Sequence, residues 1–107
     1  MKLRIRANSV RLRLSDDEVV QISRGESIIE ETPFPGGVLV YQLTVGGEEI
    51  SARFSATQGI EISLPEDQAS GWAARGGVAL SRRVNVGGDG GTLMVLIEKD
   101  LKADKDS

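Results

Sequence analysis

Five bases in the first fourteen residues, Lys2, Arg4, Arg6, Arg11 and Arg13, are the groups of this chain best placed to do chemistry, and no acid accompanies them there. A guanidinium stays charged and presents a planar fork of donors that matches a carboxylate or a phosphate. The chemistry on offer is therefore capture of an anion, with Arg53 on a later strand as a further candidate. Catalytic groups are scarce by comparison. The chain has no histidine and no cysteine, which removes the commonest general base, any thiolate nucleophile, disulfides and the usual soft metal ligands. The neighbouring acids Glu30/Glu31 and Glu48/Glu49 point to opposite faces if they lie in strands, so neither pair makes an acid–base dyad. The run Gly87–Gly91 lacks the lysine and hydroxyl of a phosphate-binding loop and leads into a strand, which makes it a hairpin loop. No enzyme, no cofactor and no metal is expected.

The elements that must position these bases follow from the alternation around them. Leu3 and Ile5 alternate with Lys2, Arg4 and Arg6, and Val10, Leu12 and Leu14 alternate with Arg11 and Arg13, the period of two half-buried strands. The apolar parity switches across Ala7-Asn8-Ser9, so the chain turns there. A hairpin pairing Ile5 with Val10 and Leu3 with Leu12 gathers the apolar side chains on one face. It also sets Arg4 against Arg11 and Lys2 against Arg13, and like charges directly opposite repel. The expected remedy is a ladder in which Glu26, Glu30, Glu61 or Glu98 neutralises the arginines; the competing reading is a site whose anion comes from outside.

The net charge of −3 hides a segregation, because residues 15–31 answer the basic hairpin with six acids and only Arg24. Such a balance argues against a generic nucleic-acid or acidic-membrane binder. No apolar run long enough for a signal peptide or a membrane helix is present, and a cytoplasmic location is expected.

Further along, Ser15-Asp16-Asp17-Glu18 predicts a capping box and a short helix ending at Arg24-Gly25. Glu26 to Thr32 predicts a strand, broken at Pro33-Phe34-Pro35-Gly36-Gly37. Val38 to Val45 reads as a central strand. Gly46-Gly47 reads as a hairpin turn into Ile50–Ser55, and Gln58-Gly59 turns the chain again into Ile60–Leu64, completing a three-stranded meander. Pro65 to Ala74 predicts a second helix, ended by Gly76-Gly77, with Trp72 as a core plug. Val78–Val86 and Thr92–Glu98 form a last hairpin. Residues 1–100 are thus expected to make one β-rich domain without internal repeat, and 101–107 a disordered tail. The expected fold is mainly β (α+β): a curled antiparallel sheet or small barrel of about seven to eight strands with two short helices.

Several of these segments also carry a resemblance. Arg11-Leu12-Arg13-Leu14-Ser15 with Glu18-Val19, Ser51-Ala52-Arg53-Phe54, Ile60-Glu61-Ile62 before Leu64-Pro65, Trp72-Ala73 and Leu96-Ile97-Glu98-Lys99-Asp100-Leu101 resemble a family of short bacterial proteins of unknown function. That resemblance implies a shared architecture over the whole chain and no activity. Residues 3–31 are similar, in addition, to the swapped-hairpin DNA-binding domains of bacterial transition-state regulators and antitoxins. In those an Asn-Ser loop and nearby bases face DNA in a dimer. Here Ser15-Asp16-Asp17 departs from the usual proline-lysine start and puts acids near the phosphates. The expected role is a non-enzymatic binding module for a protein, a second copy of the chain or a small anion; the alternative is a DNA-binding regulator or antitoxin using the first hairpin.

Overall fold

A computed structural model describes residues 1–74 and 79–100. The first hairpin, β1 (Lys2–Arg6) and β2 (Ser9–Leu14), has the expected register, with Ile5 on Val10, Leu3 on Leu12, Arg4 on Arg11 and Lys2 on Arg13. Ala7 takes a positive φ of 48° to make the turn. Helix α1 (Asp16–Ser23) begins on a complete capping box: the Glu18 amide donates to the Ser15 hydroxyl, and the Ser15 amide donates to the Glu18 carboxylate.

β3 (Ile28–Phe34) runs through Pro33, where a break was expected. It is an edge strand, and an edge tolerates a residue without an N–H on the unpaired side. The turn falls instead at Pro35-Gly36, with Gly36 at φ 97°, before β4 (Gly37–Val45). β5 (Ser51–Ser55), β6 (Gly59–Leu64), α2 (Glu66–Ala74), β7 (Ala79–Asn85) and β8 (Thr92–Lys99) complete the fold. The second helix and the last hairpin lie where the sequence put them, but the predicted stop at Gly76-Gly77 and the tail at 101–107 fall outside the described residues.

The meander does not form. Gly46-Gly47 is not a hairpin turn, because β4 and β5 do not pair. β4 lies parallel to β6, and β5 pairs with β6 alone, from the far edge. The eight strands therefore make neither one curled antiparallel sheet nor a closed barrel. They form two four-stranded mixed sheets, ordered β1-β2-β8-β7 and β3-β4-β6-β5, each with a parallel pair at its centre.

The two orders follow one rule. β1-β2-α1-β3-β4 and β5-β6-α2-β7-β8 have the same element sequence, and each half gives one hairpin to each sheet. The correspondence extends to single hydrogen bonds. The Asp100 amide donates to the Leu14 carbonyl at 2.8 Å, and at the matching place the Gly46 amide donates to the Leu64 carbonyl at 2.9 Å. Leu12 and Leu14 before α1 correspond to Ile62 and Leu64 before α2, and all four are fully buried. Ile22 on α1 and Trp72 on α2 take matching places beneath the sheets, with Leu43, Val95 and Ile97 completing the core. The expectation of no internal repeat is thus corrected at the level of topology.

Gly59 shows how closely β4 and β6 approach within the second sheet. A Cβ there would lie 2.0 Å from the Val40 carbonyl oxygen, and its φ of 73° suits glycine. The two helices follow the C-terminal ends of β2 and β6 and pack on each other. The four hairpin connections lie at the other end.

Candidate binding surfaces

Pleating decides which bases meet. The odd residues of β1 and the even residues of β2 point into the core, so Lys2, Arg4 and Arg6 on β1 and Arg11 and Arg13 on β2 share the outer face of the first sheet. Four of the expected site residues, Arg4, Arg6, Arg11 and Arg13, are thereby brought together. Arg53 is not among them: it lies on the outer face of the second sheet, with Nη2 2.7 Å from Glu61. One base escaped the sequence reading. Arg83 on β7 stands opposite Met94 of β8 on the first sheet's outer face, a position that the alternation of Leu80, Arg82 and Val84 with Ser81 and Arg83 would have revealed.

The expected ladder is only partly built. Of its four acids, Glu98 alone reaches this face, where one oxygen takes Arg11 Nε at 3.2 Å and Arg13 Nε at 3.3 Å. Lys2 pairs with the buried Asp100 at 2.9 Å. Glu61 is held by Arg53, Glu30 turns to the Met1 amine at 2.9 Å, and Glu26 is exposed. Among the described residues Arg4 and Arg6 have no ion-pair partner. Two shallow hollows run between these side chains, one of about 180 Å³ lined by Lys2, Leu3, Arg4, Arg11 and Arg13, and one of about 80 Å³ between Arg4, Arg6, Ser9 and Arg11.

The repeated topology supplies a comparison within the molecule. By register, Lys2, Arg4, Arg6, Arg11 and Arg13 correspond to Ser51, Arg53, Ser55, Glu61 and Ser63 of the second sheet. Five positive charges on one face stand against a neutral set on the other. The slot that holds Arg13 and Glu98 is filled in the second sheet by Ser63 and Thr44, whose hydroxyls lie 2.9 Å apart. The fold is satisfied by small polar residues at these positions, so the charge of the first face is not a requirement of the architecture.

Among the described residues, titration is perturbed at one cluster, away from this face. The Met1 amine is buried, which lowers its pKa, but hydrogen bonds to Glu18 and Glu30 outweigh that and raise it above the ordinary 8.0. Burial, and then the charges of Glu30 and Glu18, raise Tyr41, whose hydroxyl donates to the Met1 carbonyl at 3.2 Å. The glycine run closes the last hairpin with local bonds: the Val86 amide donates to the Gly91 carbonyl and the Gly90 amide to that of Gly87. Among the described residues no three acids converge as a metal site would need, and no helix is long and apolar enough to cross a membrane.

Fold and surface together define a β-rich domain of two hairpin-exchanging halves, one of whose sheets bears a basic outer face. The chain belongs to a family of unknown function, DUF7009, whose model matches residues 1–106. Comparison with curated proteins and with solved structures finds no match.

Proposed function

We propose that this chain is a cytoplasmic, non-enzymatic binding module that takes an anionic partner, a small anion or an acidic protein segment, on the outer face of its first sheet. The observation that carries this reading is the contrast between the two faces. Equivalent positions hold five cations in one sheet and a neutral set in the other, and a single carboxylate is shared by Arg11 and Arg13. Arg4 and Arg6, without an ion-pair partner among the described residues and set around shallow hollows, suit a carboxylate or phosphate that arrives with the partner.

Thermal melting with added sulfate, inorganic phosphate or an oligoglutamate tests it. A specific ligand stabilises by mass action, by about 2.7 kcal/mol at a hundred times its dissociation constant. A saturable shift lost in Arg11→Ala/Arg13→Ala and kept in Arg53→Ala is expected. Absence of a saturable shift with every anion would falsify the proposal.

One observation favours a second reading, DNA binding. The exchange of hairpins between halves is the arrangement that the resemblance of residues 3–31 implies for a dimer, here within one chain. Asp16 and Asp17 weigh against it by placing charge that repels phosphate at the start of α1. On that reading affinity for duplex DNA falls steeply with salt, as counterion release requires; salt-insensitive or undetectable binding removes it.

A further inference from the structure

The basic face has an open border. β1 ends the first sheet on one side and pairs with β2 alone. On its free side, alternate residues turn their N–H and C=O groups outward with no strand to receive them. The other edges differ. β3 carries Pro33, which has no N–H to offer. Arg82 of β7 donates to the Ile50 carbonyl at 3.0 Å and to Glu49 at 2.8 Å, which ties that edge to the segment entering β5. On β5 the one base, Arg53, is taken by Glu61. β1 is held at its start, where the Met1 amine meets Glu30 and the Met1 carbonyl accepts from Tyr41. Beyond that anchor, Arg4 and Arg6 stand at the border without an ion-pair partner among the described residues, around the hollow they share with Ser9 and Arg11.

Arg4 and Arg6 are two residues apart on this strand, so their side chains leave the same face about 6.7 Å from each other. A strand laid along β1 presents every second side chain to that face at the same spacing. Carboxylates there would stand directly beside Arg4 and Arg6, a favourable cross-strand pairing, whereas the hairpin itself sets Arg4 against Arg11. The intervening residues of the incoming strand would fall on the inner face beside Ile5, which is 60 % exposed, and apolar side chains suit that place. A second copy of β1 is repelled instead, since antiparallel pairing about Arg4 sets Arg4 on Arg4 and Lys2 on Arg6. We propose that an extended peptide of alternating acidic and apolar residues adds to the free edge of β1 as a fifth strand, its carboxylates on Arg4 and Arg6 and its apolar side chains over Ile5. This rests on the reading of the basic face as an anion site, and names the partner and its manner of docking.

The probe is an end-blocked peptide of alternating glutamate and valine, set against a peptide of the same composition with its glutamates and valines in two blocks. Binding is followed by melting temperature and by amide hydrogen exchange along β1. The alternating peptide should bind saturably and slow exchange at the outward amides of β1, and the block peptide should do neither. Methylating the peptide's own amides separates a strand from a loosely held polyanion. Only alternate amides face β1, so methylation at the valines alone and at the glutamates alone should differ, one abolishing binding and the other sparing it. Arg4→Ala/Arg6→Ala should weaken binding about two- to thirtyfold, the equivalent of two cross-strand ion pairs. Equal effects of the two methylations, equal binding of the block peptide, or no binding of the alternating one overturns the added strand; a saturable shift with sulfate would then leave the anion site standing by itself. Outward amides of β1 already protected in the free protein, by its own chain or in a concentration-dependent dimer, overturn the proposal as well, because the edge would be occupied.

Discussion

Removing Arg11 should cost the fold almost nothing, and the structure says why. Its one attractive partner is Glu98, at 3.2 Å, and that carboxylate is shared with Arg13. Arg11 is 32 % exposed and Glu98 19 %, so the pair is screened and contributes about 0.2–1 kcal/mol. Against this stand two like charges, Arg4 directly across the hairpin and Arg13 two residues along the same face. Unit charges about 7 Å apart in water repel by about 0.6 kcal/mol. Attraction and repulsion nearly cancel, and Arg11→Ala should lie within about 0.5 kcal/mol of the parent protein. Glu98→Gln is the opposite case. It removes both pairs and leaves the repulsions, so a loss of about 0.5–2 kcal/mol is expected.

Urea unfolding at low salt and at 0.5 M sodium chloride measures both variants. The screening length falls to about 4 Å at the higher salt, so the Glu98→Gln deficit should shrink and the parent protein should gain stability as repulsion on the basic face is screened. A loss above about 2 kcal/mol for Arg11→Ala would mean that the fold needs this arginine. The basic face would then be part of what holds the architecture together.

Trp72→Ala should cost about 3–5 kcal/mol, because the indole is 2 % exposed in the core. Trp72→Phe should cost much less, since the indole N–H has no hydrogen-bond partner among the described residues; unfolding curves and a blue-shifted native emission check both, and a solvent-like emission maximum refutes the burial. Stability should fall as pH rises above about 8. The Met1 amine has a folded pKa raised above its ordinary 8.0, so its contribution is complete below that value and disappears as pH rises through the folded one. Tyr41 acts in the same direction at higher pH, and acetylating the Met1 amine should remove only the lower part of the decline. Finally, residues 47–49 join Gly46 to Ile50 at the place matching the gap between Asp100 and Met1, where Lys2 and Asp100 pair at 2.9 Å. A circular permutant opened between Gly47 and Glu48, with Ser107 joined to Met1, should therefore fold cooperatively; a broad, non-cooperative melt would contradict the equivalence of the halves.

Local physics was legible in the residues themselves. Alternation placed β1 and β2 and set their register, since a slip of one residue would turn Leu3, Ile5, Val10 and Leu12 toward water. Ser15 and Glu18 marked the start of α1 because their side chains satisfy amides only a few residues away. The burial of Trp72 and the grouping of Arg4, Arg6, Arg11 and Arg13 followed from the same short-range periodicities. The repeat was hidden because matching positions share polarity and burial more than identity, as Leu12 with Ile62, Ile22 with Trp72 and Arg13 with Ser63 show.

The pairing of distant strands was decided only by the tertiary structure. Gly46-Gly47 looks like a hairpin turn because a turn is a local property, yet β4 turns away from β5 to lie parallel to β6, where Leu43 and Ile62 are both fully buried. The same nonlocal choice sends Glu61 to Arg53 and Glu30 to the Met1 amine, leaving Glu98 as the one expected acid beside the basic face. By itself the sequence determined the strands, the caps and which side chains share a face, because these depend on neighbours along the chain. Which hairpins meet, which acids reach which bases, and which strands are left at the edges were settled by the joint burial of two halves, and no local pattern encodes that.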